Sequence, residues 1–441
     1  MSTPVRAIAL RVLSDVERGP GTLADRLARV DVADLPPRER AFLHELVLGT
    51  LRRRGAIDHA LGRLLDRPLD RVDPRLRGVL RLGAHQLLHL RVPARAAVHE
   101  SVALARSVSQ RGAGFVNAVL RRLAREGPPP EPDPERNPLA WLTTFGSLPE
   151  WLAERWLARF GPSGAVSRAR GAIVEPPAVF RLNPRHPDAL QRIVAAGCEA
   201  RPAATPGAWI ADGGRPADLH AAGVLYLQDE SAQRVAALAC GPGRTLDACA
   251  APGGKALLLA DWLEEGGEAG FVVAVEASRR RLETLARLAR TWGSPGLHLV
   301  RGDAERPSFA SMAFDQILLD APCSGLGTLA RHPDLRWRVS ERDLASHAAR
   351  QRRLLDALAP LLRVGGRIVY ATCSSEPEEN DQVVTAFLAA RRDYRLEALP
   401  AAAADLATGE AGFFAAVLRR EGESPSWYSG RSSWVPSASY P

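Results

Sequence analysis

Two cysteines in this 441-residue chain lie just after apolar segments that alternate with helical ones. Cys323 is part of the segment DAPCSG (residues 320–325), and Cys373 is part of ATCS (residues 371–374). The alternation predicts a parallel doubly wound sheet, and we expect the two segments to end neighbouring strands, about 4.8 Å apart. The sequence therefore predicts two free thiols at one crevice, where a thiolate could act as a nucleophile.

A glycine-containing turn follows the first predicted strand, in DACAAPGGK (residues 247–255). Such a turn before a helix lets backbone amides approach a ligand. Glu276 ends the second predicted strand, close to the spacing of about 20 residues at which an acid binds ribose hydroxyls. Asp303 follows the third strand and Asp320 ends the fourth. The combination favours a nucleoside site over a helix cap and a plain turn, and the lack of GxGxxG argues against a dinucleotide.

Two thiols beside a nucleoside site fit methylation of cytosine at carbon 5. Addition of a thiolate to carbon 6 makes carbon 5 enamine-like, so that it can displace the methyl group of a sulfonium cofactor. A proton must then leave carbon 5 before the enzyme's sulfur is eliminated, and a second thiol could assist. We expect Asp320 to hydrogen-bond N3 or the exocyclic amine. The alternative, a small core residue, is preferred for Cys198, Cys240 and Cys249.

Lys255 is the only lysine among 58 basic residues, which suggests a need for a compact ammonium group in this turn. Residues 1–130 hold 23 arginines against 13 acidic residues, whereas the rest of the chain holds 35 basic and 37 acidic residues. An excess of positive charge confined to one region favours a polyanion-binding surface, although basic surfaces are common in arginine-rich proteins.

The chain is predicted to be multidomain. Residues 1–127 show apolar stripes of helical spacing, as in Leu76, Val79, Leu80, Gly83, Leu87 and Leu90, and predict an all-α bundle. A proline-rich linker (128–137) and a small α+β connecting region (138–225) follow, and then an α/β Rossmann-like domain (226–420) and a disordered tail (421–441). The predicted strands of the last domain are listed here: Thr245–Cys249, Phe271–Glu276, Leu297–Gly302, Phe314–Asp320, Arg367–Thr372 and Phe413–Arg420. The predicted helices between them are Lys255–Glu264, Ser278–Thr291, Asp343–Leu362 and Pro377–Ala390.

Several classes of protein are disfavoured. No run of about 18 apolar residues is present, so we expect no membrane span and a cytoplasmic protein. Five cysteines without a CxxC pair predict neither a disulfide framework nor a zinc site. His85, His89 and His99 could share a metal, but solvated or core-edge histidines are more common, and we expect no metal. We expect a monomer.

The motifs DACAAPGGK, DAPCSG with the following RHPD, and ATCS resemble those of the Sun-type RNA cytosine-C5 methyltransferases. Residues 1–126 resemble a NusB-like RNA-binding domain, with ERAFLHELVLGTLRR, LRLGAHQLL and GFVNAVLRRLAR in order, and the resemblance covers about residues 5–420. The NusB-like part is similar to the bacterial RsmB branch, which implies S-adenosylmethionine as cofactor and small-subunit (16S) ribosomal RNA as substrate. An unpaired or flipped-out cytosine is then required.

The resemblance implies that Cys373 is the nucleophile and that Cys323 assists product release. DNA cytosine methyltransferases use a proline-cysteine motif for attack, which would be Cys323, so this division of roles rests on the resemblance. The implied cofactor contacts are Cys249, Ala250, Ala251, Pro252, Gly253, Gly254, Lys255, Glu276, Asp303 and Asp320. Glu276 replaces the aspartate of many relatives, and its extra methylene should still reach ribose hydroxyls. The predicted RNA contacts, which could equally be solvated surface, are Arg331, Arg336, Trp337 and Arg338.

Two alternatives remain. A non-catalytic RNA-binding or assembly factor with a silent methyltransferase fold would be favoured by loss of a motif cysteine, of Lys255 or of the acids at the strand ends, and none is lost. An amino-group methyltransferase would carry an Asn/Asp-Pro-Pro-Tyr/Phe turn where this chain has DAPCSG.

Overall fold

The computed structural model describes residues 4–19, 21–27, 29–30, 35–212, 216–409 and 412–422. The chain divides into two compact units. Unit 1 falls within Met1–Pro176 and Thr328–Glu341, and unit 2 falls within Pro177–Gly327 and Arg342–Pro441. Among the described residues, no helix combines the length and the apolar character that crossing a bilayer requires. The predicted disordered tail lies outside the described residues, apart from residues 421–422.

The helices of the described residues are α1 (Pro4–Arg18), α2 (Leu23–Leu27), α3 (Pro37–Arg52), α4 (Arg54–Gly62), α5 (Pro74–His89), α6 (Ala94–Val108), α7 (Gly112–Glu126), α8 (Pro138–Thr143), α9 (Glu150–Ile173), α10 (Ala189–Ala195), α11 (Ala217–Ala221), α12 (Glu230–Leu238), α13 (Gly254–Glu265), α14 (Arg279–Trp292), α15 (Leu335–Arg338), α16 (Glu341–Leu358) and α17 (Asp381–Ala390). The strands are β1 (Ala178–Leu182), β2 (Glu199–Pro202), β3 (Ala208–Asp212), β4 (Leu225–Leu227), β5 (Gly243–Asp247), β6 (Gly270–Glu276), β7 (Leu297–Arg301), β8 (Phe314–Asp320), β9 (Leu362–Thr372), β10 (Tyr394–Glu397) and β11 (Phe414–Arg420).

Helix α5 shows how sequence sets the helical bundle of unit 1. It begins with Pro74 at its first position, and the preceding Asp73 accepts hydrogen bonds from the backbone N–H groups of the first turn. Val79 and Leu80 of the predicted stripe are buried in the bundle's apolar core. A Cβ placed on Gly83 would lie only 2.5 Å from a methyl carbon of Leu120. A larger residue at this position would therefore push α5 and the Leu120 side chain of α7 apart. The predicted all-α bundle is confirmed.

The histidines of the bundle do not share one environment. His85 is buried and lies 3.3 Å from a carboxylate oxygen of Glu45, whereas His99 is exposed. Burial lowers the pKa of His89 to about 3, so this ring is neutral at physiological pH. Within the part of the chain that the structure describes, no group of three or more His, Cys, Asp or Glu side chains is placed to hold a metal ion.

The predicted connecting region is divided between the two units. Helices α8 and α9 belong to unit 1, where Trp141 and Trp156 are buried. Helix α9 is interrupted at Gly161, which has a φ of 68° and precedes Pro162. The remaining strands form a four-stranded sheet, β2-β3-β1-β4, in unit 2. The two compact units divide at Pro176, within the predicted connecting region, and the predicted bounds at 137 and 225 stay predictions.

Unit 2 contains a seven-stranded sheet in the order β10-β11-β9-β8-β5-β6-β7. Strands β5 to β9 run parallel to one another, and β11 pairs antiparallel with β9 on one side and with β10 on the other. The predicted Rossmann-like sheet is confirmed, with β8 at the predicted bounds. Strand β9 begins five residues earlier than predicted, and the short strand β10 was missed because its four residues alternate too briefly to be distinguished from a loop.

A buried ion pair fixes the small sheet of unit 2 against the helices of the large one. Asp261 of α13 accepts hydrogen bonds from Arg181 of β1 at 2.7 Å, from Arg185 at 2.9 Å and from the indole N–H of Trp292. Arg181 also lies over the Trp292 ring, 4.4 Å from its centroid. Because a buried carboxylate satisfies three donors, its loss would leave them unpaired.

We predict that Asp261→Ala lowers the free energy of unfolding of unit 2 by about 3–5 kcal/mol, because it leaves a buried guanidinium without its partner. Asp218→Ala, at an exposed position, is the control and should change stability by less than about 0.5 kcal/mol. Urea denaturation followed by tryptophan fluorescence measures both. Equal midpoints for the two variants would contradict the importance of this ion pair.

Candidate active site

The carboxyl ends of the parallel strands bring the predicted site residues to one edge of the large sheet. Asp247, Glu276 and Asp320 are the last residues of β5, β6 and β8, and Cys373 follows β9. Strands β8 and β9 pair in register with Asp320 opposite Ala371. The predicted adjacency of these two strands is therefore present, and it follows from the order of the sheet.

The two cysteines are in contact. The Sγ atoms of Cys323 and Cys373 lie 3.3 Å apart, and both residues are free thiols with partial exposure. The loop after β8 follows the end of β9 closely, because Ala321 N–H donates to the carbonyl of Ala371 at 2.8 Å and Gly327 N–H donates to the carbonyl of Cys373 at 2.9 Å. Backbone hydrogen bonds on both sides of Cys323 thus hold its side chain beside Cys373.

The thiol pair has an asymmetric electrostatic environment. The hydrogen bond with Cys373 and then burial raise the pKa of Cys323 well above its usual value. Burial also raises the pKa of Cys249 to about 12, and that of the core residue Cys240 to about 12. A thiol with a raised pKa keeps its proton at neutral pH. Cys323 is therefore protonated at neutral pH while the two thiols are in contact.

The glycine turn between β5 and α13 requires both of its glycines. Gly253 has a φ of 122°, a conformation that side chains disfavour. A Cβ on Gly254, the first residue of α13, would collide with the ring of Tyr226. Ala250 N–H donates to the carbonyl of Val275 at 2.9 Å, which anchors the turn to β6. The turn therefore exposes backbone at the N-terminus of a helix, where an uncharged or negative ligand group is favoured.

Lys255 and Asp320 form an ion pair with Nζ and Oδ2 2.7 Å apart. Burial lowers the pKa of Lys255, but the charge and hydrogen bond of Asp320 outweigh this effect and raise it, with a smaller contribution from Cys373. Nζ also lies 5.7 Å from the centroid of the Phe413 ring. The single lysine of the chain therefore stays charged between a carboxylate and the thiol pair.

The other acids differ in exposure. Asp247 is 1% exposed, and burial and the charge of Asp320 raise its pKa to about 7. Its Oδ1 atom has no hydrogen-bond partner in the described part of the chain. Glu276 is buried and accepts a hydrogen bond from the Ser278 N–H at 2.8 Å, whereas Asp303 is exposed.

A narrow cavity of about 100 Å³ opens at this edge. The apolar residues that line it include Ala248, Val275 and Phe309, and Asp303 is an acidic lining residue. Phe309 was not among the predicted site residues, because it lies in a loop without a recognisable motif. The lining of the cavity comes from the ends of β5, β6 and β7 and does not include Asp247, Glu276, Asp320 or the two cysteines.

The predicted RNA contacts lie in the returning segment, which we define as Thr328–Glu341 and which belongs to unit 1. Arg336 is 1% exposed and donates to the carbonyls of Arg52 and Ala172. The indole of Trp337 donates to the carbonyl of Leu51 at 2.8 Å. These hydrogen bonds give both side chains a structural role in unit 1, and burial leaves Arg336 no surface for RNA, whereas Trp337 is partly exposed and stays a prediction.

The two remaining residues of that set are partly exposed. Arg338 pairs with Asp334 at 2.9 Å, and Arg331 also has an interaction partner. Both stay predictions. Sequence patterns could not separate these arginines from Arg336, because the partner carbonyls lie far away along the chain.

Three polar residues beside the thiols were missed. Ser324 and Ser374, which follow the two cysteines, both donate to the buried carboxylate of Glu379. Each serine lies inside a recognisable motif. Glu379 lies in the segment PEEN (residues 377–380), where the sequence does not indicate which of the two neighbouring glutamates is buried.

Known proteins match this architecture over most of its length. The family described as 16S rRNA methyltransferase RsmB/F matches residues 236–425, and the NusB family matches residues 3–125. The probable ribosomal RNA small subunit methyltransferase B of Bacillus subtilis is 34% identical over 409 residues, which cover 89% of this chain and 90% of the relative. Ribosomal RNA small subunit methyltransferase B of Thermus thermophilus is 37% identical over 428 residues, which cover 94% and 97%.

The chain belongs to the RsmB/F family of 16S rRNA methyltransferases. This membership confirms the resemblance that the motifs and the NusB-like segment indicate. The crystal structure of PH0851 has the same fold, with a TM-score of 0.75 at 22% identity over 95% of this chain and all of that one. The residue roles inside the RsmB/F site stay predictions.

We predict that Cys373→Ala lowers the pH at which Cys323 is half-alkylated, because it removes the hydrogen bond that contributes most to the raised pKa of Cys323. In Cys373→Ser a hydroxyl can still hydrogen-bond, so this control should retain more of the shift. The rate of iodoacetamide labelling at Cys323, followed against pH by peptide mass spectrometry, measures the effect. A half-alkylation pH that does not move in the alanine variant would argue against this hydrogen bond.

Proposed function

We propose that this chain transfers a methyl group from S-adenosylmethionine to carbon 5 of a cytosine in small-subunit ribosomal RNA, through a covalent bond between Cys373 and carbon 6. The observation that carries the proposal is the 3.3 Å separation of the Cys323 and Cys373 sulfur atoms at the edge where the acids of β5, β6 and β8 meet. A pair of thiols suits this reaction because it needs a nucleophile and, later, a second group near carbon 5.

The environment of the pair favours Cys373 as the nucleophile. Cys323 keeps its proton, since the hydrogen bond with Cys373 and burial raise its pKa. Lys255 holds a positive charge that interacts with Cys373. This argument from electrostatics agrees with the role that the family motifs imply.

The residues at the strand ends fit the cofactor. Asp247 leaves a buried carboxylate oxygen without a partner in the described part of the chain. We assign the ribose hydroxyls to Glu276 and the base to the cavity beside Asp303, which has apolar walls. S-adenosylmethionine, when bound, supplies an electrophilic methyl group. The remaining cofactor contacts that we propose are the backbone and side-chain atoms of residues 249–252.

Asp320 has one oxygen engaged and one available. Its Oδ2 accepts a hydrogen bond from Lys255, so that the ion pair fixes the orientation of the carboxylate. We assign Oδ1 to the cytosine, where it accepts from the exocyclic amine or shares a proton with N3. A proton held between Oδ1 and N3 offsets the negative charge that the ring gains when the thiolate adds, whereas acceptance from the exocyclic amine orients the base.

The reaction then closes in balanced steps. The sulfur–carbon 6 bond forms, carbon 5 takes the methyl group, and the proton on carbon 5 leaves. Once the sulfur of Cys373 is bonded to carbon 6, it no longer raises the pKa of Cys323, so we assign proton removal to Cys323, which first releases its own proton to solvent and then takes the carbon 5 proton as a thiolate. As the proton leaves, the carbon 5–carbon 6 double bond forms again and the sulfur of Cys373 is released as thiolate.

The substrate must present an accessible cytosine. Carbon 6 cannot be attacked within a stacked helix, so the base is unpaired or flipped out. The arginine excess of residues 1–130 and the match to the NusB family support RNA binding by this part of the chain. Arg331, Trp337 and Arg338 remain proposed contacts to RNA.

We predict that Cys373→Ala reduces methyl transfer to unmethylated ribosomal RNA by at least about a thousandfold, because it removes the nucleophile. Transfer of label from S-adenosylmethionine is the measurement. Cys198→Ala, at a buried position outside the site, is the matched control and should retain activity. Near-normal transfer by Cys373→Ala would reject its role, and RNA binding without transfer by the unaltered protein would favour a non-catalytic assembly factor.

We predict that Cys323→Ala accumulates a covalent protein–RNA adduct, because carbon 5 keeps its proton and the sulfur cannot leave. The adduct is seen as a slowly migrating band on a denaturing gel. The double variant with Cys373→Ala should lose the band. Accumulation in Cys373→Ala instead would exchange the two assignments.

Bisulfite sequencing of ribosomal RNA identifies the substrate. A strain lacking this protein should lose 5-methylcytosine at a position of the small-subunit RNA, and expression of the unaltered chain should restore it. The Cys373→Ala chain is the control that should not. Full retention of every 5-methylcytosine in the deletion strain would contradict the proposed substrate.

A further inference from the structure

A buried carboxylate lies next to the two cysteine turns and takes no part in the proposed reaction. Glu379 is 0% exposed. Its Oε1 accepts hydrogen bonds from the backbone N–H of Ser324 at 2.8 Å and from the side-chain amide of Gln351 at 3.2 Å. Its Oε2 accepts from the hydroxyls of Ser324 and Ser374, each at 2.5 Å. All four contacts are made to one side chain.

These donors belong to two separate turns. Ser324 directly follows Cys323, and Ser374 directly follows Cys373. The two serine hydroxyls are themselves 3.1 Å apart. A shift of either turn would therefore break a hydrogen bond to a buried carboxylate, which is costly because no water replaces it. Glu379 thus joins the two residues that flank the thiols.

The carboxylate is itself held in place by strand β9. The Tyr370 hydroxyl donates to the backbone carbonyl of Glu379 at 2.5 Å. The neighbouring Asn380 accepts from the Thr372 hydroxyl at 2.6 Å and donates to the carbonyl of Ser374 at 3.0 Å. The residue after Glu379 therefore joins the turn that carries Cys373 to the end of β9, and from there the carboxylate reaches the turn that carries Cys323.

We propose that Glu379 is a positioning residue that sets the distance between the sulfur atoms of Cys323 and Cys373. It fixes both turns through Ser324 and Ser374, so that the two thiols reach the same base. The consequence for methylation rests on the proposed function, whereas the distance between the sulfur atoms does not. A residue needed only for folding would alter stability and cofactor binding without a specific effect on the thiol pair.

Two substitutions of Glu379 test the length of its side chain and its negative charge separately. Glu379→Asp keeps the carboxylate but is one methylene shorter, so it cannot contact both turns in the present geometry. Glu379→Gln keeps the length but replaces an acceptor oxygen by a donor and removes the charge. Because the charge of Glu379 contributes to the raised pKa of Cys323, only the aspartate variant leaves thiol ionisation largely unaltered. Glu379→Asp is therefore the decisive variant.

Oxidative crosslinking measures the sulfur distance without RNA or cofactor. Diamide takes two hydrogens from the Cys323 and Cys373 thiols, which form a disulfide while diamide becomes the hydrazine. We expect Glu379→Asp to slow this crosslink by about tenfold or more, since a misplacement of about 1 Å has large effects on reactions between fixed groups. Asp381→Asn, an exposed carboxylate two residues away, is the control and should crosslink as the unaltered chain does. Peptide mass spectrometry identifies the linked pair.

Methyl transfer gives the second readout. We expect Glu379→Asp to lower kcat by about ten- to a hundredfold while KM for RNA and the affinity for S-adenosylmethionine stay within about twofold of the unaltered chain. Adduct formation in a Cys323→Ala background needs only one thiol, and Glu379→Asp should slow it less than complete turnover. Equal losses in both assays, together with weaker cofactor binding, would indicate a purely structural residue and overturn the proposal.

The two proposals fail in different ways. If the unaltered chain transfers no methyl group, the proposed function is wrong, and the crosslinking rates still decide whether Glu379 sets the sulfur distance. If the unaltered chain is active and Glu379→Asp crosslinks at the unaltered rate, the positioning role is wrong. Should Glu379→Asp fail to fold, Ser374→Ala removes one of the two connections and must slow crosslinking for the proposal to stand.

Discussion

The parallel pairing of β8 with β9 is the interaction on which the site depends. Each strand contributes one thiol only after it has ended, so the sulfur positions are set by the register in which Asp320 lies opposite Ala371. A slip of one residue would turn alternate side chains to the other face of the sheet. The backbone hydrogen bonds from Ala321 and Gly327 extend this register beyond the strands, into the turns that carry the cysteines.

The charges around the thiols are balanced in a small volume. Asp247, Glu276 and Asp320 gather at one edge, and the raised pKa of Asp247 reflects its burial and the charge of Asp320. Lys255 offsets part of this repulsion, since it pairs with Asp320. A buried cluster of acids with a single lysine suits a site that binds a positively charged sulfonium cofactor, because the surplus of negative charge remains after the ion pair has formed.

Much of this arrangement was predictable from sequence, for identifiable reasons. Buried parallel strands are apolar runs with polar residues at their ends, so β8 and the edge position of Asp320 follow from local pattern. Strand register and contacts between residues far apart in the chain do not follow from local pattern. The four-residue strand β10, the burial of Glu379 and the structural role of Arg336 depend on contacts between residues far apart in the chain, and no periodicity records them. The sequence does not distinguish an arginine that is hydrogen-bonded to backbone carbonyls from one that is solvated.

The returning segment, Thr328–Glu341, has a consequence for how the chain can be divided. Its sequence lies between strands of unit 2, yet its side chains complete unit 1, where Arg336 and Trp337 bond to carbonyls of α3. A fragment that stops at Pro176 would lack this piece and leave those carbonyls open, and a fragment that starts at Pro177 would carry it with nothing to cover its buried surface. A boundary at Pro176 therefore cuts through unit 1, which is complete only with the returning segment.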